Sequence, residues 1–283
     1  METLTPRVRR LVARNPGPFT FHGTGTYVIG HGEVAVIDAG PALPEHVEAL
    51  MQALDGERIT HLLVTHTHVD HSPATRLVQA RVQASSWGHG PHALHGADSH
   101  VALDEGADRT FTPDHAVQHG DVIEGDGWSL ECVHTPGHAA NHMCFALREE
   151  RALFTGDHVM GWSTTVIAPP DGDMGDYLAS LDGLRTRDDA CYFPTHGAPI
   201  DAPAPFVDAL MAHRQEREAQ VLACLRGGID RIREMVPSMY RDVPVALHPA
   251  AACSVFAHVL HLAKRGLVHS DGPPTIDARY TLV

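Results

Sequence analysis

The sequence predicts an α/β unit over residues 1–205, followed by a smaller and mainly helical unit over residues 206–283. Three observations lead there. Short apolar runs alternate with helical patterns and polar loops up to residue 200, a proline-rich break follows at 198–205, and beyond it the apolar period turns helical.

The elements follow in order. Residues 19–40 read as two or three short strands, rich in β-branched residues and separated by glycine turns. A helix is expected over 44–54, with Glu45 in an acidic first turn and an apolar stripe of Val47, Leu50, Met51 and Leu54. Residues 59–65 form an apolar strand of the kind buried on both faces, and it runs directly into His66. Residues 85–120 read as a long loop crowded with Gly, Pro, His and Asp, and loops of that length are often functional. Strands resume over 129–133, 143–147, 152–155 and 190–193. After the break, helices are expected over 206–225, 229–240 and 250–265, the last carrying Val255, Phe256, Val259, Leu260 and Leu262 and ending at Gly266. The tail reads as strand, turn, strand, so three helices and a hairpin suggest a winged-helix-like module.

Composition narrows the class. With 43% hydrophobic and 20% charged residues the chain is an ordinary folding sequence, long enough for one large core and an appendage. No apolar run approaches the roughly 20 residues of a membrane helix, so no membrane partner is expected. The N-terminus carries arginines but no apolar segment and no small-residue cleavage site, which points to a cytoplasmic location. Five widely spaced cysteines without a C-x-x-C pair are expected as reduced, mostly buried thiols. Net charge is −14 and uneven: residues 1–205 carry 12 basic and 27 acidic side chains, or −15, and the remainder 9 and 8, or +1. Such acidity argues against a duplex nucleic acid gripped by its phosphates, although a short single strand held at a metal site stays open. The apolar tail offers packing on its own domain or on a second copy in a homodimer.

The chain holds 23 histidines, and only their spacing separates ligands from surface side chains. At the end of the strand over 59–65 stands T-H-T-H-V-D-H. On extended chain His66 and His68 point the same way and can converge on one metal, while Asp70 and His71 follow where the chain turns and can face a second. Further donors must come from distant strand ends. His138 lies in H-T-P-G-H, where Pro136 and Gly137 make a tight turn; Asp157 follows Gly156 in T-G-D, where glycine allows close backbone approach; His196 stands in T-H-G after an apolar strand.

These residues, H-x-H-x-D-H, H-T-P-G-H, T-G-D and T-H-G in that order, resemble the metallo-β-lactamase superfamily over roughly residues 19–200. The resemblance implies a four-layer αβ/βα sandwich with a dinuclear site at the edge of two sheets. His66, His68 and His138 would hold one metal, Asp70, His71 and His196 the other, and Asp157 would bridge them. Asp70 and Asp157 carry the catalytic assignment. Asp38, at the end of V-A-V-I-D, resembles the family's strand-end Asp that orients a ligand; a turn-capping Asp is the other reading. His134 is read as a supporting or structural group, and Asn141 and His142 as neighbours of a ligand or of substrate. Ser163, Thr164 and Thr165 lie where a loop could reach substrate, or cap a turn. His89, His92, His95, His100, His115 and His119 are read as solvated loop side chains.

Such a site would hold two divalent cations, with Zn²⁺ the first expectation and Fe or Mn equally compatible with the donors. A hydroxide bridging them would be the nucleophile, its formation favoured because cations lower the pKa of bound water from about 16 toward about 7. The local positive charge would favour an anionic or carbonyl-containing substrate. The donor set is shared by hydrolases of β-lactams, thioesters, lactones and phosphodiesters. Ser72-Pro73 after His71 differs from the Gly-Gly of glyoxalase II. The stretch P-G-P-F-T-F-H-G-T-G-T-Y-V-I, S-T-T-V at 163–166 and the helical tail resemble the lactamase-beta-2-like branch, although Gly25 stands where that branch commonly has Asn. That resemblance implies hydrolysis of single-stranded RNA or another phosphodiester; a small thioester, lactone or β-lactam is the alternative, and a non-catalytic metal- or nucleic-acid-binding protein a third.

Overall fold

Two β-sheets packed face to face, each covered by helices on its outer side, make up the first 200 residues of the computed structural model, which describes residues 1–92 and 106–283. The first sheet runs in order β1 (Glu2–Thr3), β2 (Val8–Val12), β3 (Gly25–Ile29), β4 (Glu33–Ile37), β5 (Arg58–Leu63), β6 (Ser85–Gly88) and β7 (His115–Ala116). It is antiparallel from β1 to β4 and parallel from β4 to β7. Helices α1 (Pro44–Ala53) and α2 (Ala74–Gln79) make the crossovers. The second sheet runs β12 (Cys191–Pro194), β11 (Ala152–Gly156), β10 (Met143–Leu147), β9 (Trp128–His134), β8 (Val122–Gly125), and α3 (Met174–Arg185) connects the parallel pair β11 and β12.

The period-2 alternation of the strands sorts side chains between layers. From β3 and β4, Tyr27, Ile29, Ala35 and Ile37 enter the core between the sheets, where they meet Met143, Phe145 and Leu147 of β10. Val28, Val34 and Val36 face outward onto Val47 and Leu50 of α1. Cys144 and Ala146 face outward onto Tyr177 and Leu181 of α3. Phe145 is completely buried in the inter-sheet layer, so its truncation to Ala would cost about 3–5 kcal/mol.

The C-terminal part consists of α4 (Pro203–Arg226), α5 (Ile232–Met239), α6 (His248–Lys264) and the hairpin β13 (Val268–Ser270) with β14 (Tyr280–Leu282). Residues 198–205 are not a free linker. Pro203 and Pro205 occupy the first turn of α4, where a missing N–H costs no hydrogen bond. The helix then serves two cores: Val207 and Leu210 pack beneath the second sheet, whereas Val221 and Cys224 pack with Val236, Val255, Val259 and Leu262. Lys264 of α6 pairs with Asp173, the N-cap of α3, at 2.5 Å.

Three expectations need correction. Residues 85–120 contribute β6 and β7, which have too little apolar alternation to be read as strands and form because β5 offers a partner edge. Residues 245–264 are in fact long and apolar enough to cross a membrane, by length and composition; Val255, Val259 and Leu262 are instead buried in the C-terminal core, as in a core helix. Residues 19–24 form no strand and carry only a bridge between Gly17 and Phe21. All five cysteines are free.

Candidate metal centre

The carboxyl ends of β4, β5, β9, β11 and β12 lie along one edge of the sandwich, and the polar residues after each of them meet there. The parallel pairs β4 with β5 and β11 with β12 send their exit loops to that edge, as open α/β sheets do with their binding sites. Backbone bonds tie it together: Met143 N–H donates to Thr65 O at 2.7 Å, and Gly25 N–H to Thr195 O at 2.9 Å.

All seven predicted donors converge. His66 Nε2 and His138 Nε2 stand 2.9 and 3.1 Å from His68 Nδ1. His196 Nε2 lies 3.2 Å from Asp70 Oδ2 and 3.3 Å from Asp157 Oδ2, and His71 Nε2 lies 3.4 and 3.5 Å from the same two oxygens. Asp157 Oδ2 also lies 3.9 Å from His138 Nε2, so it faces both sets. Among the described residues three groups have ligand atoms mutually within 4.8 Å: His66, His68 and His138; His66, His71 and Asp157; and Asp70, His71 and His196.

The outward ring nitrogens explain why the inward ones are available. His138 Nδ1–H donates to Val166 O at 2.8 Å, with Thr165 Oγ1 at 2.9 Å; His71 Nδ1–H donates to Asp38 Oδ2 at 2.9 Å; His196 Nδ1–H donates to Gly23 O at 3.2 Å. In the neutral ring each such bond fixes the proton on Nδ1 and leaves the lone pair on Nε2, directed into the cluster. Asp38 sits in the left-handed region at φ 51° and receives Thr65 N–H and Thr65 Oγ1–H as well. It therefore orients His71 and does more than cap a turn.

Electrostatics divide the cluster into unlike halves. Burial, together with neighbouring rings, holds His66 well below the usual imidazole range and pushes His68 down to about 3. At His196 burial also disfavours the cation, but Asp157 and Asp70 outweigh it and raise its pKa to about 10. His71 is raised well above its ordinary value against the same burial, by Asp70, Asp157 and Asp38. Burial opposes ionisation of Asp70 and Asp157, yet His71 and His196 hold both well below the usual carboxylate range.

The donors fit divalent cations. His71 Nε2 and Asp157 Oδ1 are buried without a hydrogen-bond partner, and nitrogen donors with carboxylates are the ligands such cations take. Deep in the site, Asp157 N–H donates to His142 Nε2 at 3.2 Å and His142 Nδ1 lies 2.9 Å from Thr135 Oγ1, so His142 supports the Asp157 backbone. A side chain at Gly156 would collide with that ring, its Cβ 2.5 Å from His142 Nε2. Asn141 donates to Thr67 Oγ1 at 2.9 Å and braces the loop carrying His66 and His68. His134 stands apart, stacked on His89 at 4.1 Å. Thr165 Oγ1 lies within hydrogen-bond distance of His138 Nδ1, whereas Ser163 Oγ–H donates to the neighbouring Thr164 O.

Sequence reasoning missed several supports. Thr24 Oγ1 donates to Asp70 Oδ2 at 2.8 Å and is itself held by Asn15. Thr195 Oγ1 donates to Asp38 at 3.3 Å. Their only local signal was a polar residue beside an apolar strand. Of the loop histidines, His89 and His92 are half-buried and hydrogen-bonded, to Val117 O and Thr67 Oγ1, rather than solvated; His115 and His119 are exposed. His95 and His100 lie outside the described residues.

An αβ/βα sandwich with seven His and Asp donors gathered at one sheet edge defines a metal-dependent hydrolase. Residues 20–196 match the model of the metallo-beta-lactamase superfamily, and residues 232–274 that of the beta-lactamase associated winged helix domain. The chain belongs to the metallo-beta-lactamase superfamily. A beta-lactamase-like protein 2 homolog of Caenorhabditis elegans is 32% identical over 95% of this chain and 88% of its own length. An atrochrysone carboxyl ACP thioesterase of Aspergillus chevalieri is 34% identical over 86% of this chain and 76% of its own. A metallo-beta-lactamase family protein of Thermus thermophilus shares the fold, with a TM-score of 0.81 at 24% identity over 99% and 100% of the two chains.

Proposed function

We propose that this hydrolase cleaves a small acyl thioester, using two divalent cations, zinc first among them, held by His66, His68 and His138 and by Asp70, His71 and His196, with Asp157 between the sets. One observation carries the substrate class. A cavity of about 270 Å³ opens beside the donors, walled by Phe19, Met160, Trp162, Val166, Tyr240 and Leu247, and it shares Thr165 with the ligand His138. An apolar pocket of this kind seats an acyl group. Its two guanidinium groups are engaged: Arg214 with Thr165 O, Arg217 with Met239 O and the Tyr240 ring. The relative named as an ACP thioesterase supports the same class.

When bound, the cations would supply Lewis-acid activation of water and of the acyl oxygen. The protein's own contribution is orientation. Asp38 and Gly23 O keep His71 and His196 aimed inward. Asp70 is the more exposed of the two cluster carboxylates and is ionised at neutral pH, so it can accept a hydrogen bond from the attacking water and orient it. Water adds its oxygen to the acyl carbon, the C–S bond breaks, and the products are a carboxylic acid and a thiol.

A second reading, single-stranded RNA, draws on Phe21 and Trp162, stacked at 4.8 Å with a 10° interplanar angle beside the cavity, a platform on which a base could stack. One panel separates the two. Zinc-reconstituted protein is given aromatic and short-chain acyl thioesters, with released thiol measured, and end-labelled single-stranded RNA. Thioester turnover abolished by chelation and by Asp157→Ala is expected; RNA cleavage with intact thioesters would replace the proposal by the second reading.

A further inference from the structure

Arg214, at the middle of α4, is only 2% exposed, and among the described residues no carboxylate pairs with it. Glu218, one turn further on, is taken by His261 and Arg265. A guanidinium removed from water without a counter-charge is unfavourable unless its donors are used, so what it touches matters. Its Nη2 donates to Thr165 O at 2.6 Å, and its guanidinium lies 5.0 Å from the centre of the Tyr177 ring.

Both contacts lead to His138. Thr165 Oγ1 and the adjoining Val166 O are the partners of His138 Nδ1. Tyr177 backs the turn that presents His138: an added Cβ at Gly137 would stand 2.3 Å from Tyr177 Cα. One buried side chain of the C-terminal part thus braces the loop that sets the His138 ring and the helix against which its backbone turns. No other His in the trihistidine group is held from α4 among the described residues.

We infer that Arg214 is a positioning residue for His138, through which the long helix α4 sets the geometry of the trihistidine site. The inference rests on the reading that His66, His68 and His138 hold a cation. Metal-free full-length protein is titrated with Co²⁺ and Zn²⁺, following affinity and the visible Co²⁺ spectrum, for wild type, Arg214→Met, Arg214→Lys, Thr165→Val and His138→Ala. Arg214→Met is expected to bind about 10-fold more weakly with an altered Co²⁺ spectrum, the loss typical when an outer partner of a ligand is removed. Arg214→Lys should recover part of both.

Wild-type affinity and spectrum in Arg214→Met overturn the inference. Should that variant not fold by near-ultraviolet circular dichroism, Arg214→Lys decides, since it keeps the buried charge but not the planar fork that reaches Thr165 O: weaker binding than wild type with an altered spectrum supports the inference, wild-type binding and spectrum overturn it, and Thr165→Val, which removes one partner of His138 Nδ1 and leaves Val166 O, gauges the hydroxyl's own share. His138→Ala separates the two levels. Loss there without loss in Arg214→Met removes only the role of Arg214, whereas no loss in His138→Ala removes the reading of the trihistidine site itself.

Discussion

Asp38 Oδ2 and His71 Nδ1 lie 2.9 Å apart, both side chains wholly buried. Three further donors, Thr65 N–H, Thr65 Oγ1–H and Thr195 Oγ1–H, end on the same carboxylate, which therefore acts purely as an acceptor. The pair joins the end of β4 to the ligand loop after β5 and transmits the sheet's rigidity to a metal-facing nitrogen.

Asp38→Asn tests that pair without straining the backbone, since Asn tolerates the left-handed conformation seen at φ 51°. The new amide would set a donor against donors. Unfolding free energy should fall by about 1–3 kcal/mol, and metal affinity by about 10–100-fold. Denaturant melts of the metal-free protein and a competitive chelator titration check both; unchanged metal affinity would show that His71 needs no orienting partner.

Gly137→Ala tests the turn that carries His138. The position has φ +140°, and its Cβ would meet the backbone of α3, which cannot yield as a flexible side chain could. A destabilisation of about 2–3 kcal/mol is expected, with weaker metal binding alongside. Thermal denaturation measures the first, and a variant as stable as wild type would mean that the turn has room the structure does not show.

The metal-free protein should be most stable near the unfolded histidine pKa of about 6.5 and lose stability on both sides. His196 is raised to about 10 and His71 is raised too, so their contribution is fully present below about 6.5 and is lost as pH rises through the folded value. His68 and His158 are buried neutral and pushed down to about 3, so stability is lost as pH falls from about 6.5 toward that value. Melting temperatures taken from about pH 5 to about pH 9 give the profile, and a monotonic rise with pH would contradict it.

Metal binding must displace those protons, because a ligand nitrogen cannot keep one. Titration calorimetry at neutral pH, in buffers of different ionisation enthalpy, should register net proton release from His71 and His196. Heat independent of the buffer would mean that both rings are already neutral.

Much of the site was legible because its donors sit where local patterns end. His66 follows an apolar run, Asp157 follows Gly156, and His196 follows Y-F-P-T, so strand ends marked ligands without any knowledge of pairing. Strand 143–147 was read with its observed bounds because M-C-F-A-L is apolar on both faces. By contrast β6 and β7 escaped, since S-S-W-G and H-A acquire strand form only against a neighbour.

Sequence alone determined the order and kind of the donors, the alternation of strands and helices, and the change to a helical tail, because these depend on residue chemistry and on periods of two and 3.6. Only the tertiary structure decided which donors share a group, and that Asp38 serves His71, Thr24 serves Asp70 and Arg214 reaches the loop holding His138. Those pairs are separated by 33, 46 and, for Arg214 with Thr165, 49 residues. Contacts over such distances follow from sheet order and helix packing, which no local pattern encodes.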